Sequence, residues 1–227
     1  MTPYYHRDGI TIHHGDCRDV LPFRCVDAAD LVLTDPPYGI GADRAHKGRA
    51  NTQRGKSLWT AKDYGGPIWD DTPPDADTID MVRNWGVNAI VWGGNHFQLP
   101  PARCWLVWDK DNGTNKYADC ELAWTNLDKA VRMTRYKWHG MFQEHAGRNK
   151  ETRYHPTQKP VAVMMWCIEQ APRDIKMVLD PFMGSGTTLV AAKRMGLECV
   201  GIEIEERYCE IAANRLGQGV LDFEGPA

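Results

Sequence analysis

The chain has 227 residues, 42% of them hydrophobic and 25% charged, enough for one α/β domain with a sizeable core and short for two. No apolar run approaches the ~20 residues of a membrane span, and the opening MTPYYHRDG lacks the apolar stretch of a signal peptide. The seven cysteines (17, 25, 104, 120, 167, 199, 209) are odd in number and never form CxxC, so the expectation is a reduced, cytoplasmic protein without disulfides or a zinc site.

In chain order, five short apolar runs read as buried strands of a largely parallel sheet: TIHHG (11–15), LVLTD (31–35), AIVWG (89–93), MVLDP (177–181) and ECVGIE (198–203). CWLVW (104–108) and ELAWT (121–125) are two more candidates near an edge, and their tryptophans, with Trp92, read as core. Helical spacing appears in KPVAVMMWCIEQ, where Val161, Met164, Met165 and Ile168 share one face. It recurs in TTLVAAKRMG, closed by Gly196, and over 205–216. Strands alternating with helices predict a doubly wound α/β sheet, in which ligands sit beyond the carboxyl ends of the strands. Between these elements, 41–75 and 126–156 show little periodicity, and His96 and His155 read as loop and turn histidines.

Net charge is −3, which alone argues against a polyanionic partner, but the charge is unevenly spread. Residues 41–62 hold six basic side chains (Arg44, Lys47, Arg49, Arg54, Lys56, Lys62) against Asp43. Residues 129–153 hold seven (Lys129, Arg132, Arg135, Lys137, Arg148, Lys150, Arg153) against Glu144 and Glu151. Each segment is +5, while the remaining 14 basic and 27 acidic side chains give −13. An acidic body with two basic segments suits a nucleic acid held at one face.

Two strand ends carry the chemistry. LVLTDPPYG ends an apolar run in a carboxylate, two prolines with restricted φ, and a tyrosine. Alone it reads as a turn. MVLDPFMGSGTTLVAAKR is a strand, a Gly184-Ser185-Gly186 turn and a helix, where backbone can approach a ligand closely and the helix N-terminus favours negative groups. It is not a P-loop, because no Gly-Lys-Ser/Thr follows. It also departs from GxGxxG, since the third position is Leu189. Glu203 ends the next strand 19 residues after Gly184, where an acid can bond ribose hydroxyls. This half reads as a site for a nucleoside-bearing cofactor.

TDPPYG, HPTQKP and DPFMGSGTT, in that order, closely resemble the S-adenosyl-L-methionine-dependent amino-methyltransferases of DNA, which modify adenine N6 or cytosine N4. Catalytic motif first and cofactor motif last is the circularly permuted arrangement of the β class. GDC at 15–17 and GIEIEERYCEIAANR at 201–215 extend the likeness over nearly the whole chain. The resemblance implies a single Rossmann-like methyltransferase domain with a mostly parallel seven-stranded sheet and one antiparallel strand. It implies that Asp35, Pro36, Pro37 and Tyr38 are catalytic. Asp180, Phe182, Gly184, Gly186 and Thr187 would line the methionine and nucleoside side of the cofactor, and Glu203 would hold its ribose. Thr157, Gln158 and Lys159 would approach its carboxylate, with Asp16 and Cys17 near its adenine.

On that resemblance the target amine is activated by two acceptors, the Asp35 carboxylate and the Pro36 carbonyl, with Tyr38 offering a face for the base. The base must leave the duplex stack to be reached. Arg44, Lys47, Arg49, Arg54, Lys56, Arg132, Arg135 and Lys137 would grip phosphates of double-stranded DNA. The 41–62 loop would close over the target, and 126–156 would be a small recognition insertion. So small an insertion suggests a short target, help from a second subunit in a homodimer, or both. An initial Asp in the catalytic motif favours adenine N6, with cytosine N4 the alternative. A catalytically silent DNA-binding relative and a nicotinamide dehydrogenase are the rivals from other classes. Neither has a use for both motifs.

Overall fold

In the computed structural model, residues 2–22, 28–41, 72–113, 118–139, 142–143, 151–154 and 157–217 are described. The strands are β1 (Tyr5–Arg7), β2 (Ile10–His14), β3 (Ala29–Thr34), β4 (Gly86–Trp92), β5 (Trp105–Asp109), β6 (Cys120–Thr125), β7 (Arg132–Arg135), β8 (Trp138–His139), β9 (Phe142–Gln143), β10 (Met177–Asp180) and β11 (Glu198–Glu203). The helices are α1 (Cys17–Val20), α2 (Ala76–Arg83), α3 (Val161–Gln170), α4 (Thr187–Arg194) and α5 (Glu206–Gly217).

Among the described residues nine strands, not seven, form the main sheet, in the order β1-β2-β11-β10-β3-β4-β6-β5-β7. The seven inner strands are parallel except for β6, which runs against both β4 and β5. The surplus over the expected seven comes from the two edges: β1 is hairpinned antiparallel to β2, and β7 joins β5 in parallel. Part of the 126–156 segment, expected to be irregular, is therefore sheet, and β8 and β9 form a small separate hairpin.

Both faces of the sheet are covered, which is why the strands read as continuous apolar runs. Leu31 and Leu33 of β3, Ile90 and Trp92 of β4 and Val178 of β10 pack on one side with α3, α4 and α5. Val32, Ala89, Val91, Leu179 and Ile202 pack on the other with α1 and α2. Trp92, Trp108 and Trp124 are buried as expected, while Trp105 is half-buried. Six cysteines among the described residues are free thiols, all buried but Cys120. No helix among the described residues is long and apolar enough to cross a membrane.

Strand order locates the site. From β3 the chain passes through α2 to β4 on one side, and from β10 through α4 to β11 on the other. The two helices lie on opposite faces, so the strand order reverses between β3 and β10. Crevices of doubly wound sheets open at such a reversal, beyond the carboxyl ends of the strands.

Candidate active site

β3 and β10 are hydrogen-bonded neighbours, with Leu31 opposite Val178 and Val32 opposite Leu179. The strand ends carrying Asp35 and the glycine turn therefore emerge side by side, although 146 residues separate Thr34 from Asp180. The Thr34 hydroxyl donates to Asp180 Oδ1 at 2.7 Å and ties them directly.

Asp180 itself faces inward. It is 2% exposed and also accepts from Thr188 Oγ1 (2.5 Å) and the Phe182 amide (3.2 Å). Burial lifts its carboxyl to about 6 against the pull of those hydrogen bonds. Its lone pairs organise the turn, which corrects the expectation that it lines the cofactor. Glu203 closes the other side: β11 delivers its carboxylate to the Gly184 amide (2.9 Å) and the Glu205 amide (2.8 Å). Burial raises it to about 7, opposed by those two amides. A side chain at Gly184 would meet nothing within 4 Å, so this glycine borders open space beside the Glu203 carboxylate.

β2 and β11 end together, His14 opposite Glu203 and the Gly15 amide on the Glu203 carbonyl at 2.9 Å. This sets Asp16 near the glycine turn, but its side chain caps α1 and grips Arg18. The Cys17 thiol is buried, and burial pushes it up to about 12. Both residues are used by local structure, so the expected side-chain contacts with a cofactor adenine find no support at this strand end.

Gln158 is likewise engaged. Its amide nitrogen donates to Glu151 Oε1 and the Thr152 carbonyl, and its oxygen accepts from the Tyr154 amide. Thr157 is half-buried at the same segment. Arg215 of α5 joins this segment to the glycine turn, donating to the Ser185 carbonyl at 2.6 Å, to Thr187 Oγ1 at 3.4 Å and to Glu151 Oε1 at 3.5 Å. Thr187 is thus buried against Arg215, and Phe182 packs partly into the core. Arg215 was missed in the sequence, where it reads as one more polar residue of an amphipathic helix.

The acid of DPPY is in unexpected company. Lys159, 5% exposed, lies with its ammonium 2.6 Å from Asp35 Oδ1, 3.1 Å from Glu121 Oε2 and 3.0 Å from the Tyr38 hydroxyl. The tyrosine hydroxyl donates to the same Oδ1 at 2.6 Å. Glu121 is paired in turn with Lys110. Burial lifts the Asp35 carboxyl, with Lys159 pulling it back and Glu121 pushing it up; the balance stays above the ordinary value. Burial would lower Lys159, but the two carboxylates outweigh it and hold it up. Lys159 was expected at a cofactor carboxylate; its ammonium instead lies against the carboxylate of Asp35. Glu121 and Lys110 were missed, and the one signal for Glu121 is a charge opening an otherwise apolar strand.

Pro36 is buried and Pro37 half-buried at this turn. The Tyr38 ring is partly covered. His96 stacks on it with centroids 5.0 Å apart and planes at 12°, and Phe97 meets it edge-on at 6.2 Å. His96 therefore lies where a base stacking on Tyr38 was expected, a packing role that a lone loop histidine does not reveal. Gly93, at φ +66, makes this possible, since a Cβ there would lie 2.1 Å from Tyr38 Cε1. Gly93→Ala should therefore displace the ring and strain the turn, costing ~1–3 kcal/mol of stability; a thermal melt and a transfer assay would record both losses.

Of the basic side chains assigned to DNA, Arg44, Lys47, Arg49, Arg54 and Lys56, together with His155, lie outside the described residues. Arg132 is exposed on β7. Arg135 pairs with Asp109 at 2.8 Å and Lys137 with Asp111 at 3.2 Å, so two of the expected phosphate contacts are already offset by acids. The reason is register: β5 sets Asp109 opposite Arg135, an acid that counting along the 129–153 segment misses. No cluster of metal-binding side chains occurs among the described residues.

A doubly wound sheet with a glycine turn, an acid at the next strand end and a buried carboxylate across the strand-order reversal has the form of a site for a nucleoside-bearing cofactor. The DNA methylase family of N6/N4 methyltransferases matches residues 104–214. The type II methyltransferase M.ScaI of Streptomyces caespitosus is 27% identical, over 94% of this chain and 83% of that one. M2.LlaDCHI of Lactococcus lactis subsp. cremoris is 24% identical, over 96% and 93%. Among solved structures, an M1.HpyAVI–SAM complex superposes with a TM-score of 0.53 at 22% identity, covering 91% of this chain and 99% of that one. The cytosine-N4-specific PvuII DNA methyltransferase does so with 0.57 at 14% identity, covering 99% and 90%. Together these similarities support an amino-methyltransferase of the N6-adenine/N4-cytosine family.

Proposed function

We propose that this DNA methyltransferase moves a methyl group from S-adenosyl-L-methionine to the N6 amine of an adenine turned out of double-stranded DNA. The observation that carries the proposal is the adjacency of the DPPY acid and the glycine turn across one strand pair. The residues fit the donor: open space at Gly184, a carboxylate at Glu203 for ribose hydroxyls, and half-exposed Phe182 beside them. When bound, S-adenosyl-L-methionine supplies an electrophilic methyl. Adenine N6 is favoured over cytosine N4 by the aspartate that begins the motif. The M1.HpyAVI complex contains SAM, which agrees with the cofactor assigned.

The chain's own work is positioning and polarisation. An exocyclic amine is a weak nucleophile because its lone pair is delocalised into the ring. Asp35 accepts one N–H and the Pro36 carbonyl the other, drawing the nitrogen toward tetrahedral geometry. Both acceptors are fixed before reaction, by Lys159 on Asp35 and by restricted φ in the prolines, so little reorganisation accompanies the transfer. Tyr38 borders the base, and His96 must share or yield its stacking position.

Labelled cofactor, unmethylated DNA and nucleoside analysis test the proposal. N6-methyladenine supports it, N4-methylcytosine transfers it to the alternative base, and no product under any condition overturns it. The cofactor half has its own test. Glu203 serves ribose best as a carboxylate, yet burial raises its pKa to about 7. Cofactor affinity should therefore rise with pH between about 6 and 8, by up to roughly tenfold per unit below that value. Glu203→Gln should bind more weakly and flatten the slope, measured by calorimetry without DNA.

A further inference from the structure

We propose that Glu121, backed by Lys110, is a positioning residue for methyl transfer: it keeps the Lys159 ammonium on Oδ1 of Asp35 and so reserves Oδ2 as the acceptor for the target amine. The inference rests on the assignment of Asp35 as the amine acceptor. An ammonium has three donors, and Lys159 has three oxygen partners, on Asp35, Glu121 and Tyr38. Both donors that reach Asp35, Lys159 and the Tyr38 hydroxyl, fall on Oδ1. Among the described residues no donor falls on Oδ2. One carboxylate oxygen is anchored and the other is left open.

Glu121 accounts for that asymmetry. Its Oε2 accepts from the Lys159 ammonium, and its other oxygen is held by Lys110, whose ammonium also lies 5.3 Å from the centre of the Trp108 ring. Two acids and two ammonium groups make a neutral set whose side chains are between 4% and 25% exposed. Without the Glu121 charge, the full pull of Lys159 would fall on Asp35, and its freed proton would have the second carboxylate oxygen as the nearest acceptor. The amine would then compete with an ammonium for Oδ2. Nothing in sequence spacing announces this, because β5 and β6 bring 110 and 121 together and Lys159 enters from the segment preceding α3.

The groups facing Asp35 are Lys159 and Tyr38, Glu121 of β6 with Lys110 behind it, and Asp180 of β10. Neutralising Glu121 removes a negative neighbour, so Asp35 should keep its charge to lower pH. Removing Lys110 leaves Glu121 with Lys159 alone and draws the ammonium from Asp35, which should then protonate at higher pH.

The test is steady-state transfer from labelled cofactor to DNA between pH 5 and 9, with Glu121→Gln, Glu121→Asp, Lys110→Met and Asp35→Ala. Glu121→Gln should lower kcat by roughly 10–100-fold, the scale of one misplaced positioned group. It should also move the acid limb of the kcat profile down by about half a unit or more, with cofactor Kd unchanged. Lys110→Met should move that limb up, and Glu121→Asp should restore part of the rate. Unmoved limbs in Glu121→Gln and Lys110→Met, with Asp35→Ala inactive, overturn the role of Glu121 and spare that of Asp35. An active Asp35→Ala, which has no side-chain acceptor, overturns the underlying assignment instead. If Glu121→Gln fails to fold, the direction of the Lys110→Met shift decides the matter by itself.

Discussion

Asp35→Ala should lower the rate of methyl transfer by at least ~10²–10³-fold, the loss typical when one preorganised polar partner of a transition state is removed. Cofactor affinity should stay within a few-fold of wild type, because the glycine turn is organised by Asp180, Thr34 and Thr188, and Glu203 is anchored by backbone amides. None of these bonds passes through Asp35. The lost rate should appear in kcat, since the carboxylate acts on an amine already in place. Folding should survive, because Lys159 keeps Glu121 as a buried counter-charge. Calorimetry for the cofactor and single-turnover transfer separate the two effects. A joint loss of binding and rate would place Asp35 in the cofactor pocket; retained rate would remove it from the chemistry.

Much of this architecture could be read before any coordinates. LVLT and MVLD are continuous apolar runs because both sides of their strands are buried, and that pattern marks inner parallel strands strongly. The glycine turn was legible because two glycines between a strand and a helix have few other uses. The edges were not. β1 and β7 are short, and RMTR on β7 is mostly exposed, so neither carries a period that distinguishes it from loop. α2 begins at a visible cap, Asp75, whose carboxylate accepts from the Thr78 amide at 2.7 Å, yet that cap adjoins a Gly- and Pro-rich stretch that masked it.

The site divides along a similar line. Motif residues were located by order and spacing, but their partners were set by strand register. Register places Asp109 opposite Arg135 and Trp108 opposite Glu121, so an expected phosphate contact becomes an ion pair and a strand residue joins the surroundings of Asp35. Local structure also absorbed residues that a motif list assigns to ligand. Asp16 caps a helix, Asp180 binds two threonines, and Gln158 secures the segment before α3. A motif names the strand end, while hydrogen-bond capacity decides which of its side chains remain available.

Lys159→Met should be the most destabilising single change at the site. It leaves Asp35 facing Glu121 with no ammonium between them, and breaking a buried pair from one side commonly costs ~3–5 kcal/mol. For a chain of this size that corresponds to a fall in Tm of roughly 10 °C or more. The pH dependence fixes the cause. In the wild type, burial works against the Glu121 carboxylate, but Lys159 and Lys110 together hold it down to about 2. Its pairing therefore contributes stability throughout neutral pH, lost only as pH falls from the ordinary glutamate range toward that value. In the variant both acids keep their burial and lose Lys159, so their folded-state proton affinities rise above those of the unfolded chain. Stability is then greatest where they are protonated and declines as pH rises through the new values. The gap between the two proteins should widen from pH 5 to pH 8 in paired thermal melts. A gap independent of pH would mean that Lys159 stabilises through the packing of its side chain and not through its pairing with the two acids.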